Sequence, residues 1–90
     1  MLGKVLRIYR EASGLTQKEL ALELGYESPQ FISDWEREKS QPPMNKVIQL
    51  ARLLKVDDSE LVRWMIEDAK QQVEATLTRN YDRERSRKKA

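Results

Sequence analysis

Two absences limit the chemistry open to this 90-residue chain: it contains no histidine and no cysteine. Serine–histidine and cysteine–histidine catalysis, thiolate nucleophiles, disulfides and zinc sites built on either residue are all excluded. Carboxylates remain, but no spaced Asp/Asn/Gly loop suited to calcium or magnesium appears, and no phosphate-cradling glycine loop. No enzyme activity, cofactor or metal is therefore expected. What remains is hydrogen-bonding chemistry. Gln30, Ser33 and Asp34 alternate with Ile32 and Trp35 at helical spacing. Taken alone, such a polar face is most simply a solvated one.

The elements that must position this face are marked by punctuation. Gly14, Gly25, Pro29, Pro42–Pro43 and Asp57–Asp58–Ser59 divide the chain into five helical segments. The first is predicted over Gly3–Ala12, with Leu2, Val5, Leu6 and Tyr9 inward and Gly14 ending it. The second covers Gln17–Leu24, opened by a Thr16 cap with Glu19 three residues on, a capping box. The third covers Pro29–Lys39, with Ser28 as its cap, Pro29 in its first position and Ile32 and Trp35 inward. The fourth covers Met44–Leu54 and buries Val47, Ile48, Ala51 and Leu54. The fifth begins at Asp58 or Ser59 and meets no further Pro or Gly. Leu61, Met65, Ala69, Val73, Leu77 and Tyr81 carry it to about residue 80. No alternating β-branched run predicts a strand. The expected fold is all-α.

Net charge is only +2, so bulk charge announces no polyanionic partner. The distribution is uneven: residues 79–90 hold six basic and two acidic groups, which leaves the other 78 residues at −2. No stretch approaches the roughly 20 apolar residues of a membrane span, and the basic start lacks the apolar run of a signal peptide. A cytoplasmic protein without a membrane partner is expected.

The informative stretch is residues 15–43, LTQKELALELGYESPQFISDWEREKSQPP. A capped short helix, a stop at Gly25, a brief turn and a second short helix anchored by Ile32 and Trp35 leave the second helix as a free ridge, whose width suits the DNA major groove. These residues resemble the phage-repressor and Cro-like (xenobiotic-response-element type) helix-turn-helix regulators. The resemblance rests on Gly14-Leu15-Thr16-Gln17, Glu19-Leu20-Ala21, Gly25, Ile32-Ser33-Asp34-Trp35-Glu36, Lys39 and Pro42–Pro43. It continues through Ile48-Gln49-Leu50-Ala51 and Leu53-Leu54-Lys55-Val56, and covers about residues 3–66. Two departures stand out. The turn Tyr26–Phe31 is one residue longer than in the best-known phage repressors, and Glu38 occupies the usual glycine position after the third helix.

The resemblance implies a compact five-helix domain over residues 1–66 and roles for named residues. Ser28, Gln30, Ser33, Asp34 and Arg37, on the helix 28–39, would face base edges: Gln30 suits adenine and Asp34 the cytosine amino group. Gln17, Lys18, Phe31, Lys39, Ser40 and Lys46 would contact the DNA backbone, Gln17 from a helix N-terminus. Phe31 is equally open to packing or to a thymine methyl. Arg10 and Glu36 would form a partly buried ion pair orienting the reading helix.

A domain of this kind needs a fifth helix only to about Ile66. Residues 67–80 are read as an extension of it, and 81–90 as a basic, disordered tail. Trp64, Met65, Val73, Leu77 and Tyr81 give the extension more apolar surface than a solvated tail needs. It either folds back or packs on a second copy, and the symmetry of palindromic operators favours the second copy. The resemblance thus implies a double-stranded DNA-binding regulator, a repressor acting as a homodimer. The alternative is an antitoxin or other interaction module whose long helix holds a protein partner.

Overall fold

The computed structural model describes residues 1–88. Five helices follow one another: α1 (Leu2–Ala12), α2 (Gln17–Glu23), α3 (Gln30–Glu36), α4 (Met44–Leu54) and α5 (Asp58–Lys88). There is no strand among the described residues. α1 packs on α3 and α5, α2 on α3, and α4 on α5. Their shared core is Leu2, Leu6, Leu20, Ala21, Leu24, Ile32, Trp35, Val47, Leu50, Ala51, Leu54 and Leu61. Ile48, expected inward, is exposed, and Leu50 takes the buried position instead. None of the helices is long and apolar enough to cross a membrane, among the described residues.

Helices α1 to α4 end alike. The N–H groups of Leu15, Tyr26, Lys39 and Val56 donate to the carbonyls of Arg10, Ala21, Asp34 and Ala51, at 2.9 to 3.2 Å. The residue before each donor is left-handed: Gly14 (φ 73°), Gly25 (φ 89°), Glu38 (φ 59°) and Lys55 (φ 61°). This closure satisfies carbonyls that a helix end would otherwise leave unpaired. Glycine adopts it without steric cost. Glu38 and Lys55 do so against the preference of an L side chain.

α3 is shorter than the predicted 28–39 helix at both ends. Pro29, rather than Ser28, is its N-cap, and no side chain caps it. The Ser28 hydroxyl reaches the Gln30 N–H only at 3.4 Å. At the other end the left-handed turn at Glu38 stops the helix where glycine stands in the resembling regulators. The Glu38 carboxylate then accepts from the Gly3 N–H at 3.2 Å and from the Met1 ammonium. Asp68 of α5 accepts from the Leu2 N–H at 2.9 Å. The exposed donors at the start of α1 are thus capped from two other elements.

α5 is continuous through residues 81–88, which the sequence reading assigns to a disordered tail; residues 89 and 90 lie outside the described region. Asp57 opens the helix by accepting from the Ser59 N–H (3.0 Å) and hydroxyl (2.8 Å). Only its first turns join the core, through Leu61 and the half-buried Val62, Trp64 and Met65. At 1.5 Å per residue its 31 residues span about 46 Å. The molecule accordingly measures 56 × 25 × 22 Å. The extension does not fold back: Val73, Leu77 and Tyr81 are all exposed.

Candidate nucleic-acid interface

α2 and α3 are held together from behind. Leu20, Ala21 and Leu24 meet Ile32 and Trp35 in the core. Two side chains of α4 then seal the C-terminal carbonyls of α2. Lys46 Nζ donates to the Leu24 carbonyl at 2.7 Å, and Gln49 Nε2 to the Glu23 carbonyl at 2.9 Å. Lys46 also lies 5.4 Å from the centre of the Tyr26 ring. Expected to grip the DNA backbone, Lys46 is instead half-buried, with its ammonium committed to the inter-helix turn.

Tyr26 organises that turn, a role the sequence reading missed. Its ring lies 4.7 Å from Phe31 and edge-on to Trp35 at 5.9 Å. Phe31 is therefore the outer member of an aromatic stack, and it remains 51% exposed. Packing and outward presentation coexist in this one residue. An aromatic residue directly after the helix-ending Gly25 was the available signal.

The outward side of α3 is a linked polar ridge. Gln30 Nε2 donates to Asp34 Oδ1 at 2.9 Å, and Arg37 Nη2 pairs with the same oxygen at 3.5 Å. Gln30 and Arg37 are exposed, and Ser33 and Asp34 are half-exposed beside them. Ser28 is exposed just ahead of the helix, while Lys39 and Ser40 are exposed just past its end. Ile32 and Trp35, one to two per cent exposed, fix the opposite side in the core. Asp34 thus uses one oxygen on its neighbours, and the exposed Gln30 amide keeps its oxygen and its second N–H.

Lys18 is exposed on the first turn of α2. Gln17 differs from expectation: its Nε2 donates one N–H to Glu36 Oε1 at 3.0 Å, which leaves its amide oxygen and its second N–H. Glu36 is also the partner of Arg10, through Nε–Oε2 at 2.6 Å and Nη2–Oε1 at 3.1 Å. Arg10 Nη1 further donates to the Leu15 carbonyl at 2.8 Å. Hydrogen bonding to Glu36 pushes the Arg10 guanidinium above its ordinary pKa, against the opposing effect of burial.

Residues 15–46 carry four basic and six acidic side chains. This segment therefore has no net positive charge to attract phosphate. Trp64 and Met65, assigned to a partner surface with Val73, Leu77 and Tyr81, separate from them here. The first two are half-buried against the chain's own core, and the other three are not.

Residues 6–61 match the Cro/C1-type helix-turn-helix family model. Three solved structures share the fold. The restriction-modification controller protein C.AhdI from Aeromonas hydrophila is 30% identical, with 67% of this chain and 89% of that chain covered and a TM-score of 0.59. The biofilm master regulator SinR, solved in complex with DNA, is 25% identical over 69% of this chain and 98% of that one, with a TM-score of 0.61. The clp gene regulator ClgR from Corynebacterium glutamicum is 25% identical over 87% of this chain and 83% of that one, with a TM-score of 0.62. No curated protein sequence matches the chain. A family match spanning well over half the sequence, on a domain with this capped, core-anchored helix pair, leads to one conclusion: the chain belongs to the Cro/C1-type helix-turn-helix family of DNA-binding transcription regulators.

Proposed function

We propose that the protein is a repressor that binds a palindromic operator as a homodimer, each copy laying α3 in the major groove of one half-site. The observation that carries this reading is the ridge Gln30–Asp34–Arg37. It is polar, outward and internally hydrogen-bonded, on a helix whose other side is sealed in the core. Gln30, Ser33 and Arg37 are assigned to base edges, with Ser28 at the groove margin; Gln30 and Arg37 are the types that bond adenine and guanine bidentately. Asp34 holds both of them and keeps its second oxygen for a base amino group. Gln17, Lys18, Lys39 and Ser40 are assigned to the phosphate backbone, and Phe31 to the sugar edge or a thymine methyl. SinR, whose fold is similar, is solved in complex with DNA, which supports the DNA-binding reading.

The test is selection of the whole protein against random DNA duplexes at two salt concentrations, with Gln30→Ala in parallel. A two-fold symmetric site, with preference altered at one position per half in the variant, is the expected result. A single half-site would remove the dimer and keep the regulator. No enrichment at low salt would remove sequence-specific binding altogether.

A further inference from the structure

From Ile66 onward, α5 carries an apolar stripe that no other element covers among the described residues. Ile66, Val73, Leu77 and Tyr81 are 49%, 57%, 62% and 62% exposed. Ile66, Ala69 and Val73 line one apolar trough along the helix, edged by Lys70 and Glu74. At 100° per residue these positions fall within about a third of the helix circumference. The stripe lies away from Leu61, the α5 residue buried deepest in the chain's own core. A helix face of this kind is incomplete without a second element.

The charges on α5 identify that element. Residues 58–74 carry five acidic and two basic side chains; residues 75–88 carry five basic and two acidic. The two halves of the helix are thus opposite in sign and equal in count. Set beside a parallel copy, each half would face its own charge. Set beside an antiparallel copy, each half faces its complement. With Val73 at the two-fold axis, Ala69 falls beside Leu77 of the second copy and Ile66 within one residue of Tyr81. Arg63 falls within one residue of Glu84 of the second copy, and Lys70 within two of Glu74. The apolar centre is paired in this register, and the two oppositely charged halves lie side by side.

We infer that two copies of this chain pair through an antiparallel contact of their α5 helices centred on Val73. The inference rests on the homodimer reading above and gives that dimer its interface and direction. Opposite-sign flanks specify orientation and register, because the parallel alternative is penalised by like charges.

The absence of cysteine makes a direct test possible. Single cysteines are introduced into the full chain at Ala69, Val73 and Leu77, and disulfide formation is followed under mild oxidation. Val73→Cys lies on the axis and should link to itself. Leu77→Cys should not, since its two copies stand about 12 Å apart along the helix in this register. A mixture of Ala69→Cys and Leu77→Cys should give the mixed disulfide. Efficient self-linking of Leu77→Cys would overturn the antiparallel direction. Sedimentation supplies the second arm. The wild type should run at twice 10.6 kDa and Val73→Glu at 10.6 kDa. Val73 lies outside the core, so the variant keeps its folded domain. A wild type that sediments as a single chain would overturn the pairing. The two readings fail separately: a cross-linked dimer that selects no DNA removes the operator reading, whereas a monomer that selects a half-site removes the α5 contact.

Discussion

Arg10 and Glu36 face each other across the α1–α3 contact, with Nε 2.6 Å from Oε2 and side chains only 11% and 5% exposed. The Leu15 carbonyl and the Gln17 amide complete their hydrogen bonding, so neither charge is left partly satisfied. Removing one partner strands the other in the interior. Arg10→Met or Glu36→Leu should each cost about 3–5 kcal/mol, while the double variant should recover much of that loss. Against a total stability of about 5–15 kcal/mol for small domains, either single change is severe. Urea unfolding of the four proteins measures the coupling. Additive single costs would mean that the pair holds nothing together.

A second prediction concerns Gly3, where α1 presses on the end of α3. A Cβ there would stand 2.5 Å from the Glu36 carbonyl oxygen and 2.7 Å from that of Trp35. Both atoms are backbone and cannot swing aside. Replacing glycine by alanine inside a helix ordinarily gains about 1 kcal/mol. Here overpacking costs about 1–3 kcal/mol and should dominate. Gly3→Ala should lower the melting temperature, and a rise would show that α1 can shift freely off α3.

Much of this was legible in the sequence, for reasons specific to each element. The Thr16–Glu19 capping box forms in both directions at 3.0 Å because its partners are three residues apart and need no tertiary help. Pro42–Pro43 and the apolar spacing after them place α4 at Met44–Leu54, as predicted. The ends of α3 were not legible, since Glu38 takes a left-handed conformation with no glycine to announce it. Its reward is tertiary, in the bond to Gly3. Lys46 reads as a free cation until the fold brings it to the Leu24 carbonyl, 22 positions away in sequence. The last turns of α5 lack an apolar stripe, yet no Pro or Gly interrupts them, and local pairs such as Arg87–Glu84 at 3.0 Å support the helix without a core.

The two left-handed non-glycine residues separate local strain from tertiary use. Lys55 closes α4 at φ 61° and is exposed. Lys55→Gly removes the Cβ clash and should stabilise the domain by about 1 kcal/mol. Glu38→Gly offers the same relief but forfeits the bonds to the Gly3 N–H and the Met1 ammonium, so the two effects should nearly cancel. Thermal unfolding of both variants checks the contrast. Equal stabilisation would mean that the Glu38 carboxylate contributes nothing.

Two helix starts should make the fold acid-sensitive. Asp57 is held below its ordinary pKa of 3.8, first by the Ser59 N–H and then by its hydroxyl. Glu19 is held below 4.5, first by the Thr16 N–H and then by the Thr16 side chain. A carboxylate with a depressed folded pKa adds stability that is complete above its unfolded pKa and lost as pH falls through the folded one. Stability should therefore be level from neutrality down to about pH 5, then fall. Asp57→Asn should flatten that fall and lower the plateau. An unchanged acid limb in the variant would exclude Asp57 as a contributor.

Asp34 carries the last prediction, because one oxygen holds both Gln30 and Arg37 on the outer face of α3. The carboxylate does two opposing things at a DNA surface. It repels phosphate, and it fixes the directions in which an amide and a guanidinium point. Asp34→Asn removes the charge and weakens both tethers while keeping the shape. Affinity for DNA of arbitrary sequence should rise, with a steeper loss on adding salt, since Arg37 becomes free to meet phosphate. Preference for the selected operator over a scrambled duplex should fall by roughly tenfold, the scale of about 1.4 kcal/mol of discrimination. Titrations of both duplexes at two salt concentrations separate the effects. If preference is retained while non-specific affinity rises, Asp34 acts only through its charge, and Gln30 and Arg37 are oriented by the helix alone.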